Sequence, residues 1–159
     1  MYRVAHQPVA QLVNQITHAE SSGNPNAKNP RSTAMGLGQF IDSTWLNVMK
    51  QYRPDLTQGK SEQQILALRT NPQLAREMTT RHTEDNARAL HQAGVAVTAG
   101  TLYLAHFAGS SKAVQLLKTA DKTQSVGNIL GQTAVSSNPF LKGWSVQNTI
   151  DWAHRKMKS

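Results

Sequence analysis

The sequence predicts an all-α fold, and three observations predict it. Apolar residues recur with the 3.6-residue helical period, and the segments they define are bracketed by capping residues and glycine stops. No two-residue turn of the Asn-Gly kind separates alternating runs, so no β-hairpin is signalled. Composition agrees: hydrophobic residues make up 38% of the chain and aromatics only 6%. A lean core rich in Ala, Leu and Val suits packed helices better than aromatic strands. At 159 residues, without internal repeat or low-complexity linker, residues 1–159 are expected to form one domain, since domains commonly run ~100–150 residues.

The elements follow in order. Val9, Leu12, Val13, Ile16 and Ala19 form one apolar stripe, which predicts a helix from about Pro8 to Glu20. Gly23 is placed to take the left-handed conformation that ends it. Residues 24–40 are rich in Asn, Pro, Ser and Gly yet carry Met35, Leu37 and Phe40, so they read as an ordered loop. Asp42 or Ser43 can cap a helix through Trp45, Leu46 and Met49. Ser61 and Gln64 have capping-box spacing, and Asn71-Pro72 pairs an N-cap with proline at the first helical position. The helix from Pro72 to about His91 carries Leu74, Ala75, Met78, His82, Ala89 and Leu90 on one stripe, and Gly94 stops it. Thr98 opens a helix through Leu102, Tyr103, His106 and Phe107 that breaks at Gly109. Ser110 or Ser111 caps a short one through Val114, Leu116 and Leu117. Residues 121–142 read as loop with one or two helical turns. Ser145 caps a last helix through Val146, Ile150, Ala153 and Met157, whose basic end matches the helix dipole.

Bulk properties narrow the chemistry. There is no cysteine, which excludes disulfides, thiolate catalysis and cysteine-type zinc sites. The net charge of +8 and pI near 10.1 imply attraction to a polyanion, either nucleic acid or an anionic cell envelope. The positive residues, among them Arg3, Lys28, Arg69, Lys112 and Lys142, are spread along the chain. They do not gather on one recognition helix, so no nucleic-acid partner is expected. His6, His18, His82, His91, His106 and His154 show no His-x-x-x-His pairing, and no metal or cofactor is expected. No apolar run approaches the ~18 residues of a membrane span, and the N-terminal segment lacks the features of a secretion signal.

Glu20 is the leading candidate for chemistry. It lies at i+4 from Ile16 and i+7 from Val13, so it continues the apolar stripe. It also stands at a helix C-terminus, where exposed carbonyls disfavour negative charge. Desolvation and dipole both favour the neutral acid, the form a general acid needs.

The residues around Glu20 carry a resemblance. Ala19-Glu20-Ser21-Ser22-Gly23-Asn24-Pro25-Asn26-Ala27-Lys28-Asn29-Pro30, then Thr33-Ala34-Met35-Gly36-Leu37-Gly38-Gln39-Phe40 and Thr44-Trp45, resemble the lytic transglycosylase and goose-type lysozyme group. In that group a helix-ending Glu-Ser is followed by an Asn-Pro-x-Ala loop and a Gly-Leu-x-Gln turn. The match covers about the first third of the chain at several fixed spacings. Residues 72–90 and 101–109 look like the later helices of bacterial and phage muramidase-type members. The resemblance implies a lysozyme-like helical fold with a glycan-binding cleft. It also implies cleavage of the β-1,4 bond between N-acetylmuramic acid and N-acetylglucosamine in peptidoglycan. Glu20 would protonate the leaving oxygen. It would then act as base on the muramyl 6-hydroxyl to give a 1,6-anhydro product, or water would attack instead. Gln39 matches a cleft residue that contacts sugar. Asn29 stands where many members place serine, and Ile41 where they place an apolar cleft residue. Gly36 and Gly38 would let the backbone turn close to the saccharide.

The chain departs from the group at Ala105-His106-Phe107-Ala108-Gly109, where most lytic transglycosylases carry Ala-Tyr-Asn-Ala-Gly. Tyr103, one turn before His106, can supply the missing hydroxyl, so Tyr103 and His106 are read as substrate-binding candidates beside a core-packing alternative. The departure leaves anhydro and hydrolysed products both open. A two-acid mechanism requires carboxyls ~5–5.5 Å or ~6.5–9.5 Å apart. Asp42, Glu77, Glu84 and Asp85 are the candidates. Asp42 is read as a helix cap, Glu77 as partly exposed, and Glu84 and Asp85 as part of an ion network with Arg81 and Arg88. Glu84 is the one to watch as a second carboxylate, and a single-acid mechanism is expected.

Trp45, Trp144 and Trp152 can stack on sugars or anchor the core. Lys142 and the cluster at His154, Arg155, Lys156 and Lys158 can contact an anionic wall or outer-membrane surface. The expected setting is the periplasm or cell wall, with a monomer acting on peptidoglycan strands. A phage lysin, a secretion-system enzyme and an autolysin all fit; the lack of a visible signal peptide favours a phage lysin made in the cytoplasm, or a domain cut from a longer protein. The rival from another class is a non-catalytic peptidoglycan-binding module of a wall-penetrating machine.

Overall fold

Four of the described helix starts, at Ser61, Asn71, Thr98 and Ser145, are set by side chains that satisfy otherwise orphaned backbone N–H groups. The computed structural model describes residues 3–4 and 7–158, with side chains from Val9 to Lys158; His6 lies outside the described residues. The chain divides into two units, residues 9–82 and residues 83–159 with 1–8. Among the described residues the structure is all-α apart from a two-residue antiparallel ladder, β1 (Arg3–Val4) with β2 (Gln7–Pro8). Because Pro8 belongs to that ladder, the first helix starts at Val9.

In the first unit, α1 (Val9–Ser21) buries Val9, Leu12, Val13 and Ile16, as its apolar period predicts. A loop leads to α2 (Asp42–Tyr52), α3 (Pro54–Thr57) and α4 (Glu62–Ala67). A 3-10 turn over Leu68–Thr70 then precedes α5 (Pro72–Gln92), which continues into the second unit. Phe40, Trp45, Val48, Met49, Ile65, Leu74 and Met78 form a buried cluster. Trp45 is fully buried, and its indole N–H donates to the Ile65 carbonyl at 2.8 Å. This tryptophan is a core anchor whose one polar atom is satisfied. Ser61 caps α4 through the predicted box, accepting from the Gln64 N–H while Gln64 accepts from the Ser61 N–H. Asn71 caps α5 by accepting from the Leu74 N–H at 3.0 Å.

In the second unit, α6 (Ala99–Ala108) opens at a capping box between Thr98 and Thr101 and stops at Gly109. Helices α7 (Ser110–Lys118), α8 (Gly127–Leu130) and α9 (Gln132–Ser137) follow, then a 3-10 turn over Pro139–Leu141 and α10 (Val146–Met157). Residues 121–142 are thus more helical than their composition suggests. Ser145 caps α10 through a box with Asn148. The start of α7 differs from expectation: Gly109 holds the cap position and no side chain bonds there, so neither Ser110 nor Ser111 is a cap. The buried core of this unit is mainly aliphatic, with Leu102, Leu104, Leu116, Leu141 and Val146 all at most 1% exposed.

Candidate functional site

Glu20 sits in the last turn of α1, one residue before the helix ends. The apolar stripe fades there: Ile16 is fully buried, while Ala19 and Glu20 are half-buried. Half-burial keeps the carboxyl within reach of a ligand. The helix is closed by the Ser22 N–H donating to the His18 carbonyl at 2.9 Å and by the Ser21 hydroxyl donating to the Thr17 carbonyl at 2.8 Å. The left-handed exit expected at Gly23 (φ 77°) already begins at Ser22 (φ 53°).

The loop that follows has its own backbone scaffold. Asn24 accepts from the Asn26 N–H, and the Gly36 N–H donates to the Ala27 carbonyl at 2.9 Å. Met35 makes antiparallel bridges to both Lys28 and Phe40, which folds residues 28–40 back on themselves. The sequence carries no alternating signal for this pairing. Gln39 locks the turn. Its side-chain N–H2 group donates to the Ala27 carbonyl at 3.1 Å and the Gly36 carbonyl at 2.9 Å. Its backbone is left-handed, with φ of 50°. A non-glycine residue held there costs of order 1–3 kcal/mol and persists only when its surroundings over-determine it.

A buried arginine fastens the loop from behind. Arg69, only 6% exposed, donates from Nη1 to the Thr33 carbonyl at 2.7 Å and the Phe40 carbonyl at 3.0 Å, and from Nε to the Leu66 carbonyl at 3.0 Å. Its Nη1 also lies 2.9 Å from Asp42 Oδ1. Asp42 is therefore the partner of Arg69 and not a helix cap; Ile41 holds the cap position of α2 without a side-chain bond. Gly36 and Gly38 are explained by the same packing. A Cβ on Gly36 would stand 2.2 Å from the Arg69 carbonyl oxygen, and one on Gly38 would stand 2.5 Å from Thr79 Oγ1. At both glycines neighbouring protein atoms take the space a side chain would need. Arg69 is the residue that sequence reasoning misses, since it stands there only among the cations spread along the chain. Its one local signal is a place four residues after Ile65, on the buried side of the preceding turn.

Of the remaining predicted residues, Asn29 accepts from the Arg31 N–H at 2.8 Å and shapes the loop locally. Ile41 closes the loop with its apolar side chain 44% exposed. Glu20, Asn29, Gln39 and Ile41 all belong to the first unit; Tyr103 and His106 belong to the second. Tyr103 is 3% exposed with its ring 5.5 Å from that of Trp152, so its surroundings are those of the core alternative. His106 is half-buried near the end of α6.

Two of the other candidate carboxylates, Glu77 and Asp85, have arginine partners. Glu77 accepts from Arg53 Nη1 with both oxygens at 3.0 and 3.1 Å, and Asp85 pairs with Arg88 on α5. Arg53 also grips Asp55 at 3.0 and 3.1 Å and holds that carboxyl below the usual range. Arg81 stacks over Tyr52, its guanidinium carbon 5.4 Å from the ring centre. Glu84 is half-buried in the second unit.

A helical fold, a half-buried glutamate ending a helix and a hydrogen-bonded return loop behind it define a lysozyme-like class of domain. Residues 4–82 match the family model described as the transglycosylase SLT domain, about half of the chain. Over these residues the chain belongs to that family, in agreement with the resemblance carried by the Glu20 loop. No curated protein matches the chain.

Proposed function

We propose that this protein cleaves peptidoglycan glycan strands between N-acetylmuramic acid and N-acetylglucosamine, with Glu20 as the single general acid and base. The observation that carries this reading is the half-buried carboxyl of Glu20 at the end of α1, inside the segment that matches the transglycosylase SLT domain. Membership supports the reaction class, and the position of Glu20 supports its choice as the acid.

In this mechanism the Glu20 carboxylic acid donates its proton to the glycosidic oxygen as the bond to the muramyl C1 breaks. The carboxylate so formed then takes the proton of the muramyl 6-hydroxyl, whose oxygen closes on C1 to give the 1,6-anhydro end. If water enters instead, the same carboxylate takes its proton and the product is a reducing muramic end. Asp42, Glu77 and Asp85 each face an arginine, which supports a one-acid scheme. Gln39 has both amide hydrogens engaged by the loop, so its carbonyl oxygen is the atom able to accept from an acetamido N–H. Ile41 offers an exposed apolar contact at the loop end.

The test is digestion of purified Gram-negative peptidoglycan by the wild type and Glu20→Gln, with products identified by mass spectrometry. Glutamine keeps the shape but has no proton to donate, so turnover collapses if Glu20 is the acid. Anhydro-muramic ends identify a transglycosylase and reducing ends a hydrolase. Equal product release by both proteins would remove Glu20 from the mechanism. Sedimentation with the wall but no products from either protein would favour a binding module.

A further inference from the structure

The second unit gathers five of the chain's nine aromatic residues into one connected group. Trp152 on α10 lies 5.5 Å from Tyr103, 5.0 Å from Phe107, 5.0 Å from Phe140 and 6.4 Å from Trp144, between ring centres. Phe140 further meets Trp144 at 5.4 Å and Phe107 at 6.1 Å. Only Tyr103 is buried. Phe140 is 42% exposed, and Phe107, Trp144 and Trp152 are half-buried. The unit's core is filled by aliphatic side chains, so these rings stand at the boundary between core and water.

Cations neighbour the rings along the chain. Lys142, between Phe140 and Trp144, is exposed, and exposed Arg155 lies three residues after Trp152 on the same side of α10. Between residues 99 and 158 seven Lys and Arg residues stand against two carboxylates, Asp121 and Asp151. The ligand this arrangement fits has apolar flat faces and negative groups.

We propose that Phe107, Phe140, Trp144 and Trp152 form a second saccharide platform, on which N-acetylated amino-sugar rings of wall glycan stack. Lys142 and Arg155 meet the lactyl or stem-peptide carboxylates. This site rests on the peptidoglycan reading above but lies outside the residues matched to the family. The rings are held tilted or edge-on against one another. That arrangement pre-forms an apolar aromatic surface for the CH faces of pyranose rings.

The experiment uses the full chain carrying Glu20→Gln, so that bound glycan persists, and follows tryptophan fluorescence. Trp45 is fully buried and hydrogen-bonded, so a response reports Trp144 and Trp152. The probes are chitooligosaccharide, soluble peptidoglycan fragments bearing peptide stems, and vesicles of anionic phospholipid. Both saccharides are expected to give saturable changes. Phe140→Ala, at an exposed position, weakens both by about tenfold. Lys142→Gln weakens only the carboxylate-bearing fragments. Wild-type affinity in Phe140→Ala, silence with both saccharides, or a response to vesicles alone would each overturn the platform. The two readings fail separately: if Glu20→Gln still cuts, the acid assignment falls while ring-dependent binding stands. If wild type cuts the wall but Phe140→Ala binds normally, only the platform falls.

Discussion

Arg69 and Arg53 belong to the same unit and use the same planar fork of donors, yet their surroundings give them different consequences. Arg69 is buried and turns its fork on the carbonyls of Thr33, Phe40 and Leu66 and the carboxylate of Asp42. Arg53, with 31% of its side chain accessible, joins Asp55 to Glu77 where water competes for every bond. Removing a buried donor leaves buried acceptors with no replacement, whereas exposed ion pairs contribute little net stability. Burial therefore decides which arginine holds the Glu20 loop in place and which decorates the surface.

The largest expected effect in this comparison is that of Arg69→Met. Stranding two loop carbonyls and Asp42 is expected to cost about 3 kcal/mol, read by urea denaturation. A cost below about 1 kcal/mol would place Arg69 with the exposed pairs. Gly36→Ala attacks the same contact from the loop side, with a Cβ 2.2 Å from the Arg69 carbonyl and a backbone φ of 87°. An expected loss of about 2 kcal/mol combines the clash and the strained backbone. A neutral result would mean that the loop and the Arg69 turn move apart freely. Gln39→Glu is gentler. It keeps the shape but sets carboxylate oxygens against the carbonyls of Ala27 and Gly36, at an expected cost of about 1 kcal/mol. Wild-type stability in that variant would show that the turn does not depend on the amide.

The smallest effect belongs to the exposed fork. The Asp55 carboxyl lies below its ordinary value of 3.8, first through its hydrogen bond to Arg53. A group lowered in the folded state contributes stability above the unfolded value and loses it as pH falls through the folded one. The Tm difference between wild type and Asp55→Asn should therefore be constant from neutral pH down towards 3.8 and shrink below it. A difference that grows on acidification would reverse the assignment.

Much of the fold was legible because capping is local. Ser61, Asn71, Thr98 and Ser145 each bond within three residues of themselves, so a short stretch of sequence contains the whole interaction. Asp42 has the right side chain for a cap but is taken by Arg69, which is distant in sequence. No local rule sees that competition. The same distance hid the bridges of Met35 to Lys28 and Phe40, which depend on a side-chain lock at Gln39 and a clamp 29 to 36 residues away. Gly36 and Gly38 were visible as glycines, but only the packing shows that Arg69 and Thr79 occupy the space a side chain would need. Glu20 was legible because helix period and helix end mark it twice, although the structure leaves it half-buried where the stripe alone predicts full burial.

The proposed function rests on Glu20 as the single general acid and base. The most direct measurement compares turnover on peptidoglycan with wall binding and thermal unfolding for Glu20→Gln and the wild type. The account predicts that turnover falls by a factor on the order of 10³ or more while binding and Tm stay near wild type, since general acid–base catalysis alone contributes ~10²–10⁴-fold. Turnover within a few-fold of wild type in a folded, wall-bound Glu20→Gln protein would contradict it.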